Sequence, residues 1–231
     1  MKYLFYAVAA LVLFASPAAS APIAGLFGEL WDQNNTFERR FIGEVEAFVN
    51  DPANTPDATF RSTEVNYPRG MVAQNPIVVP FDDFLGDDSD SLSVVSGPTF
   101  EPGNDFIMRL SGFITLDAGL HTFAARVDDG MLLKIDGQEI FRLRVDGSDV
   151  TSYSNLIMTT VALDGGRMPI ELIYFDNAAA NFGVRVDVDG KPIGGDMIST
   201  GRTSVVPLPA SAWLLITGLL GLASFRRSRV S

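Results

Sequence analysis

From Phe106 to Val188 apolar and polar residues alternate in short runs, and clusters of Gly, Asp and Asn close each run. Successive side chains of a strand point to opposite faces, so such alternation marks strands with one dry and one wet side. Residues 106–116 read as a strand, with Asp117-Ala118-Gly119 as the turn after it. In residues 120–127, His121, Phe123, Ala125 and Val127 fall on one face, which predicts packing for the single histidine. Residues 131–135 and 138–143 flank Asp136-Gly137, a pair suited to the positive φ angles of a two-residue hairpin. Residues 156–163, 169–175 and 182–188 continue the series, separated by Asp164-Gly165-Gly166 and the loop 176–181. No amphipathic helix stands out. The predicted fold is all-β, an antiparallel β-sandwich or barrel-like domain.

The first 80 residues are less regular. Residues 25–31 and 58–65 look like strands, while Asp51-Pro52, residues 54–56 and Tyr67-Pro68 break the stretch into loops. Both ends of the chain stand apart from this pattern. Met1-Lys2 is a short positive region, residues 3–14 are apolar, and Ala19-Ser20-Ala21 has the small residues a signal peptidase reads. Residues 1–21 are therefore expected to be a signal peptide. Cleavage after Ser20, with Ala18 inside, is the alternative to a cut before Pro22. At the other end, residues 208–225 carry no charge, and as a helix they would span about 27 Å, enough for a bilayer core. Arg226, Arg227 and Arg229 would hold the C-terminus on the cytoplasmic side. The expected plan is residues 1–21 as signal peptide, 22–204 as one β-domain, and 205–231 as a sorting tail with a single transmembrane helix.

Composition narrows the function. The chain has 17 basic and 28 acidic residues and a net charge of −11, and four of the basic residues lie in the two ends. Such a surface excludes nucleic acid as a partner and leaves divalent cations and sugars open. There is no Cys, so an exported domain must hold together by packing, without disulfides or thiolate chemistry. Gly-x-Ser-x-Gly, His-Glu-x-x-His and glycine-rich phosphate loops are all missing, and a single His leaves little from which to assemble a triad. No catalysis is expected.

Two resemblances sharpen this reading. The tail, with Val206-Pro207-Leu208-Pro209, an apolar run and the arginine cluster, resembles the PEP-CTERM sorting signal of Gram-negative bacteria that make exopolysaccharide. Its usual Val-Pro-Glu-Pro has Leu208 in the third place here. This resemblance implies recognition by an exosortase, an inner-membrane-tethered intermediate, and release to the cell surface or extracellular matrix. The second resemblance rests on residues 25–31, Ser111-Gly-Phe-Ile-Thr-Leu116, residues 118–123, Val127-Asp-Asp-Gly130, Ile135-Asp-Gly137 and residues 170–177. In this order they are similar to the protective-antigen-type domain, the "PA-fourteen" β-sandwich of bacterial toxins, glycosidases and fungal flocculins.

Asp128 and Asp129 are the candidate centre. Neighbouring carboxylates repel unless a positive group lies between them. One reading is a turn whose carboxylates cap backbone amides; the other is a site for a hard cation. The resemblance implies the second: a cis-linked Asp pair holding Ca²⁺ together with an Asn of a later loop, the ion then gripping sugar hydroxyls. Here those residues are Asp128, Asp129 and Asn177, with Asp176 and Asn181 as accessory candidates for ion or carbohydrate. Residues 82–83 and 87–90 read as a solvated acidic loop, and Asp189-Gly190 as a hairpin turn rather than a calcium loop. The expected role is a Ca²⁺-dependent carbohydrate-binding or adhesion protein acting on extracellular polysaccharide or a cell-surface glycan. A matrix protein without a sugar site is the alternative.

Overall fold

Between residues 106 and 188 each predicted run of alternation becomes a strand. The computed structural model describes residues 22–33, 41–68, 81–95, 105–146, 152–177 and 182–203. The expected signal peptide, Asn181 and the whole tail, including Val206, Pro207, Leu208, Pro209, Arg226, Arg227 and Arg229, lie outside the described residues. In chain order the elements are β1 (Pro22–Ala24), β2 (Leu26–Asp32), helix α1 (Ile42–Asn50), β3 (Ala58–Ser62) and β4 (Asn66–Tyr67). Helix α2 (Phe81–Leu85), a 3-10 segment (Gly86–Ser91), β5 (Ser93–Val94), β6 (Phe106–Leu116), β7 (Gly119–Asp128) and β8 (Gly130–Ile135) follow. The chain continues with β9 (Gln138–Leu143), β10 (Ile157–Leu163), β11 (Gly166–Asp176), β12 (Gly183–Val188), β13 (Lys191–Pro192) and β14 (Ile198–Thr203).

These strands form two sheets. The larger runs β5-β3-β2-β6-β11-β8-β9, with β14 beside β6 and β1 beside β14; the smaller runs β10-β7-β12-β13, with β4 also on β12. Pairing is antiparallel at β6–β11, β8–β11, β7–β10 and β7–β12. The inner faces of both sheets share one core, in which Met108, Leu172 and Tyr174 of the larger sheet join Phe123, Val127 and Val184 of the smaller. Burying each such side chain contributes roughly 1.5–3 kcal/mol, so this contact is what makes the domain a sandwich. Phe84 of α2 closes one end, stacked on Tyr67 and edge-on to Phe106.

Three readings of the sequence need correction or refinement. First, a helix covers the outer face of the larger sheet: Ile42, Val45 and Val49 of α1 pack on Trp31, Ile107, Leu132, Ile173 and Phe175. This outer layer explains why β6, β8 and β11 hold continuous apolar runs, since both of their faces are covered. α1 offers only a short apolar stripe, too short to stand out as a helical period. Second, the acidic stretch is not a solvated loop throughout. Asp82, Asp83, Asp87 and Asp90 are exposed, but Asp88 is buried and accepts hydrogen bonds from the backbone N–H and hydroxyl of Thr63 and from the Tyr67 hydroxyl. Third, His121 is buried on the inner face as alternation predicts, yet it is not simply packed. Its Nδ1 lies 2.7 Å from Oδ2 of Asp189 and its Nε2 2.8 Å from the carbonyl of Asp117. Both hairpin readings agree with the backbone: Asp136 and Gly137 have φ of 51° and 76°, Asp189 and Gly190 of 50° and 78°. Among the described residues no helix is long and apolar enough to cross a membrane.

Candidate binding site at the end of strand β7

β7 ends at Asp128 and β8 begins at Gly130, so Asp129 alone links two strands that belong to different sheets. The Asp128–Asp129 peptide is cis. Three neighbouring strands hold this corner. Gly183 of β12 pairs with Asp128, Phe175 of β11 pairs with Gly130, and Leu143 of β9 pairs with Met131. Glycine is required after the pair. A Cβ on residue 130 would lie 2.3 Å from Cε1 of Phe175 and 2.7 Å from Cβ of Arg144, well inside the roughly 3.5–4.0 Å that non-bonded carbons keep.

The carboxylate of Asp129 is almost wholly buried and doubly held. Its Oδ2 accepts the backbone N–H of Asn177 at 2.8 Å, and its Oδ1 lies 3.3 Å from Nη1 of Arg144. The hydroxyl of Tyr174 donates to the carbonyl of Asp128 at 2.7 Å and accepts the N–H of Gly183 at 2.9 Å. Burial, and then the charge of Asp176, raise the Tyr174 phenol well above its ordinary value, so it stays a donor. Asp176 itself is 1 % exposed and acts from the interior rather than from the surface. Asp128 is the strained charge of the pair. Burial first, and then the carboxylate of Asp129, push its carboxyl up to about 6, against the pull of Arg144 and of a hydrogen bond from the backbone of Tyr153.

The chain thus brings Asp128, Asp129 and the backbone of Asn177 to one corner. Arg144, Tyr153 and Tyr174 join them, and none of these was singled out in the sequence. Tyr174 sits on the inner face of β11 by simple alternation; Arg144 carries no local signal, because the turn after β9 delivers it. The donor set fits a hard cation. It consists of carboxylate oxygens, and the Asp129 charge, second to burial, adds to the rise of the Asp128 carboxyl. Among the described residues no three His, Cys, Asp or Glu side chains are grouped for a metal, so any ion held here would complete its shell with the Asn177 side chain and main-chain carbonyls.

Comparisons with known proteins agree with this architecture. The PA14 domain of the MpAFP antifreeze protein is similar at 24 % identity and a TM-score of 0.58, over 84 % of this chain and 100 % of that one. A PA14 sugar-binding domain from an RTX adhesin is similar at 26 % identity and a TM-score of 0.55, over 78 % of this chain and 99 % of that one. No curated protein matches. The family model of the PA14 domain matches residues 74–195, more than half of the chain and the whole of the Asp128 corner. This chain belongs to the PA14 domain family.

Proposed function

We propose that this protein is exported and binds carbohydrate without altering it, as a Ca²⁺-dependent adhesion module associated with extracellular polysaccharide. The observation that carries the reading is the corner itself: the adjacent carboxylates of Asp128 and Asp129, with the backbone N–H of Asn177 donating to Asp129, inside a PA14 domain. Similarity to a sugar-binding domain along nearly its whole length supports it. Asp128, Asp129 and Asn177 would hold the ion, which when bound offers open coordination positions to sugar hydroxyls. The residues keep the ion's oxygens in place: Tyr174 anchors the Asp128 carbonyl, and the N–H of Asn177 orients the Asp129 carboxylate. The apolar N-terminal run and the tail of Pro motif, apolar segment and arginines support export and exosortase sorting by way of an inner-membrane-tethered intermediate.

A glycan array probed with and without chelator tests the function, and binding lost with the ion is the expected result. A second reading, a matrix protein whose Asp pair only braces the corner, draws on the ion pair between Arg144 and Asp129. Melting curves separate the two. If the pair binds Ca²⁺, the ion stabilises the folded state by mass action, and the melting temperature climbs with Ca²⁺ concentration. Asp128→Asn with Asp129→Asn should remove that climb while the domain stays folded, since repulsion in the ion-free state is relieved. Wild-type melting indifferent to Ca²⁺ and chelator would leave the bracing role.

A further inference from the structure

The outward face of β7 and β12 holds an arrangement that the Asp pair does not use. Arg126 and Arg185 stand directly opposite each other across the two strands. Like charges in that position repel, and the one carboxylate beside them, Asp187, offsets only one of the two. Asp187 accepts from Nε of Arg185 at 3.0 and 3.1 Å. Arg126 donates through Nη1 alone, to the carbonyls of Ser154 at 2.7 Å and Tyr153 at 3.4 Å. A guanidinium carries five N–H donors in a planar fork, so most of both forks remains to be engaged from outside. They line an open groove of about 370 Å³. Leu156 and Met158 form its far wall and are 50 % and 59 % exposed, an apolar surface of the kind on which the C–H face of a sugar ring rests.

Arg126, on the wall of this groove, leads along β7 to the Asp128 corner. Arg126 and Asp128 lie on the same face of β7, two residues apart, a separation of about 7 Å. Tyr153 and Ser154 bridge them: the backbone of Tyr153 hydrogen-bonds the Asp128 carboxylate while Ser154 receives Arg126. We infer that Arg126 and Arg185 form a subsite for the carboxylate of a uronic acid, next to the sugar held at Asp128 and Asp129, so that the ligand is an acidic polysaccharide. The inference rests on the carbohydrate reading for its placement, but the Arg pair makes its own contacts. Ionic attraction to the whole chain does not produce this preference, because a net charge of −11 repels polyanions. The two forks must supply it locally.

The test compares binding of an oligogalacturonate, its carboxyl-reduced neutral counterpart and a sulfated neutral oligosaccharide to wild type and to Arg185→Gln, each with Ca²⁺ and with chelator. The side chain of Arg185 bonds only to Asp187, two residues along its own strand, and a melting curve checks that the variant is folded. Arg126→Lys, which keeps the charge and loses the fork, is the second variant. Wild type is expected to favour the uronate over its reduced counterpart roughly tenfold, the scale of charge-assisted hydrogen bonds. Arg185→Gln should lose that preference and keep its Ca²⁺-dependent affinity for the reduced sugar. A preference that Arg185→Gln abolishes in chelator too would uphold the Arg subsite even if the calcium reading fails. Equal binding of uronate and reduced sugar would overturn the proposal. So would a preference that survives both substitutions, one that chelator alone removes because the uronate ligates the ion, or equal binding of the sulfated sugar.

Discussion

At the scale of single residues, Gly130 and His121 make the firmest predictions. Gly130→Ala drives a methyl into the Phe175 ring and the Arg144 stem, and the backbone must shift to admit it. We expect a loss of about 1–3 kcal/mol in denaturant unfolding, together with a weakened response to Ca²⁺, since the residue displaced first is Asp129. His121 faces two acceptors, a carboxylate and a carbonyl, so both ring nitrogens must carry hydrogen and the paired form is the imidazolium. The hydrogen bond His121 donates to Asp189 is the first cause that raises its pKa above the ordinary 6.5, and the same bond lowers that of Asp189. A raised histidine contributes stability that is complete below about pH 6.5 and is lost as pH rises through the folded value. Asp189 is depressed, so its share is present above about pH 4 and falls away only in acid. Asp189 is half exposed, which keeps the pair near about 1 kcal/mol or less. The melting-temperature advantage of wild type over His121→Gln should therefore shrink from about pH 6 to about pH 9. A constant difference over that range would remove the charged pair.

At the scale of elements, α1 is the layer that the strand pattern alone does not foretell. It is stapled by more than its apolar stripe. The N–H of Ile42 donates to the carbonyl of Arg144 at 3.0 Å, which ties the start of the helix to the turn that supplies Arg144 to the Asp129 carboxylate. Burial opposes the charge of Glu46, but hydrogen bonds from Lys134 and Arg142 prevail and hold its carboxyl below the usual value. Ile42→Ala should cost about 2–5 kcal/mol, the usual range for a fully buried isoleucine. Because Ile42 and Arg144 share a hydrogen bond, it should also lower the affinity for Ca²⁺ measured by calorimetry. Loss of stability with an unchanged ion affinity would separate helix from site.

At the scale of the whole molecule, Pro22–Arg202 is one compact unit, and its two sheets meet at the Asp128–Gly130 corner. A ligand held there, or along the arginines beside it, bears on strands of both sheets, so binding should stabilise the domain as a whole. Delivery of that domain is a property of the ends of the chain. Replacing Arg226, Arg227 and Arg229 by Asp should impair sorting, because retention of the tail end in the cytoplasm depends on positive charge. Cell fractionation and the size of the mature protein would read this out. Normal processing and surface delivery of the triple variant would remove the sorting role of the tail.

Local rules were enough for the strands from β6 to β12 and for the turns at Asp136-Gly137 and Asp189-Gly190, because alternation and positive φ are properties of neighbours in sequence. They were enough, too, to single out Asp128-Asp129-Gly130, three adjacent residues whose charge and lack of a side chain are visible without a fold. Asn177 came only from the resemblance. What local rules could not reach was everything that depends on register. Tyr174 meets the Asp pair because β8, β11 and β12 are aligned as they are, and a shift of one residue would turn it to the opposite face, while Arg144 and Tyr153 arrive from the chain after β9 and before β10. Asp88 is buried and His121 is held by a carboxylate for the same reason: their partners Thr63 and Tyr67, and Asp189, lie far away in the chain. Arg126 and Arg185 are ordinary surface arginines in the sequence, and only the pairing of β7 with β12 sets them face to face. Sequence determined which residues could carry the chemistry; strand pairing decided which of them meet.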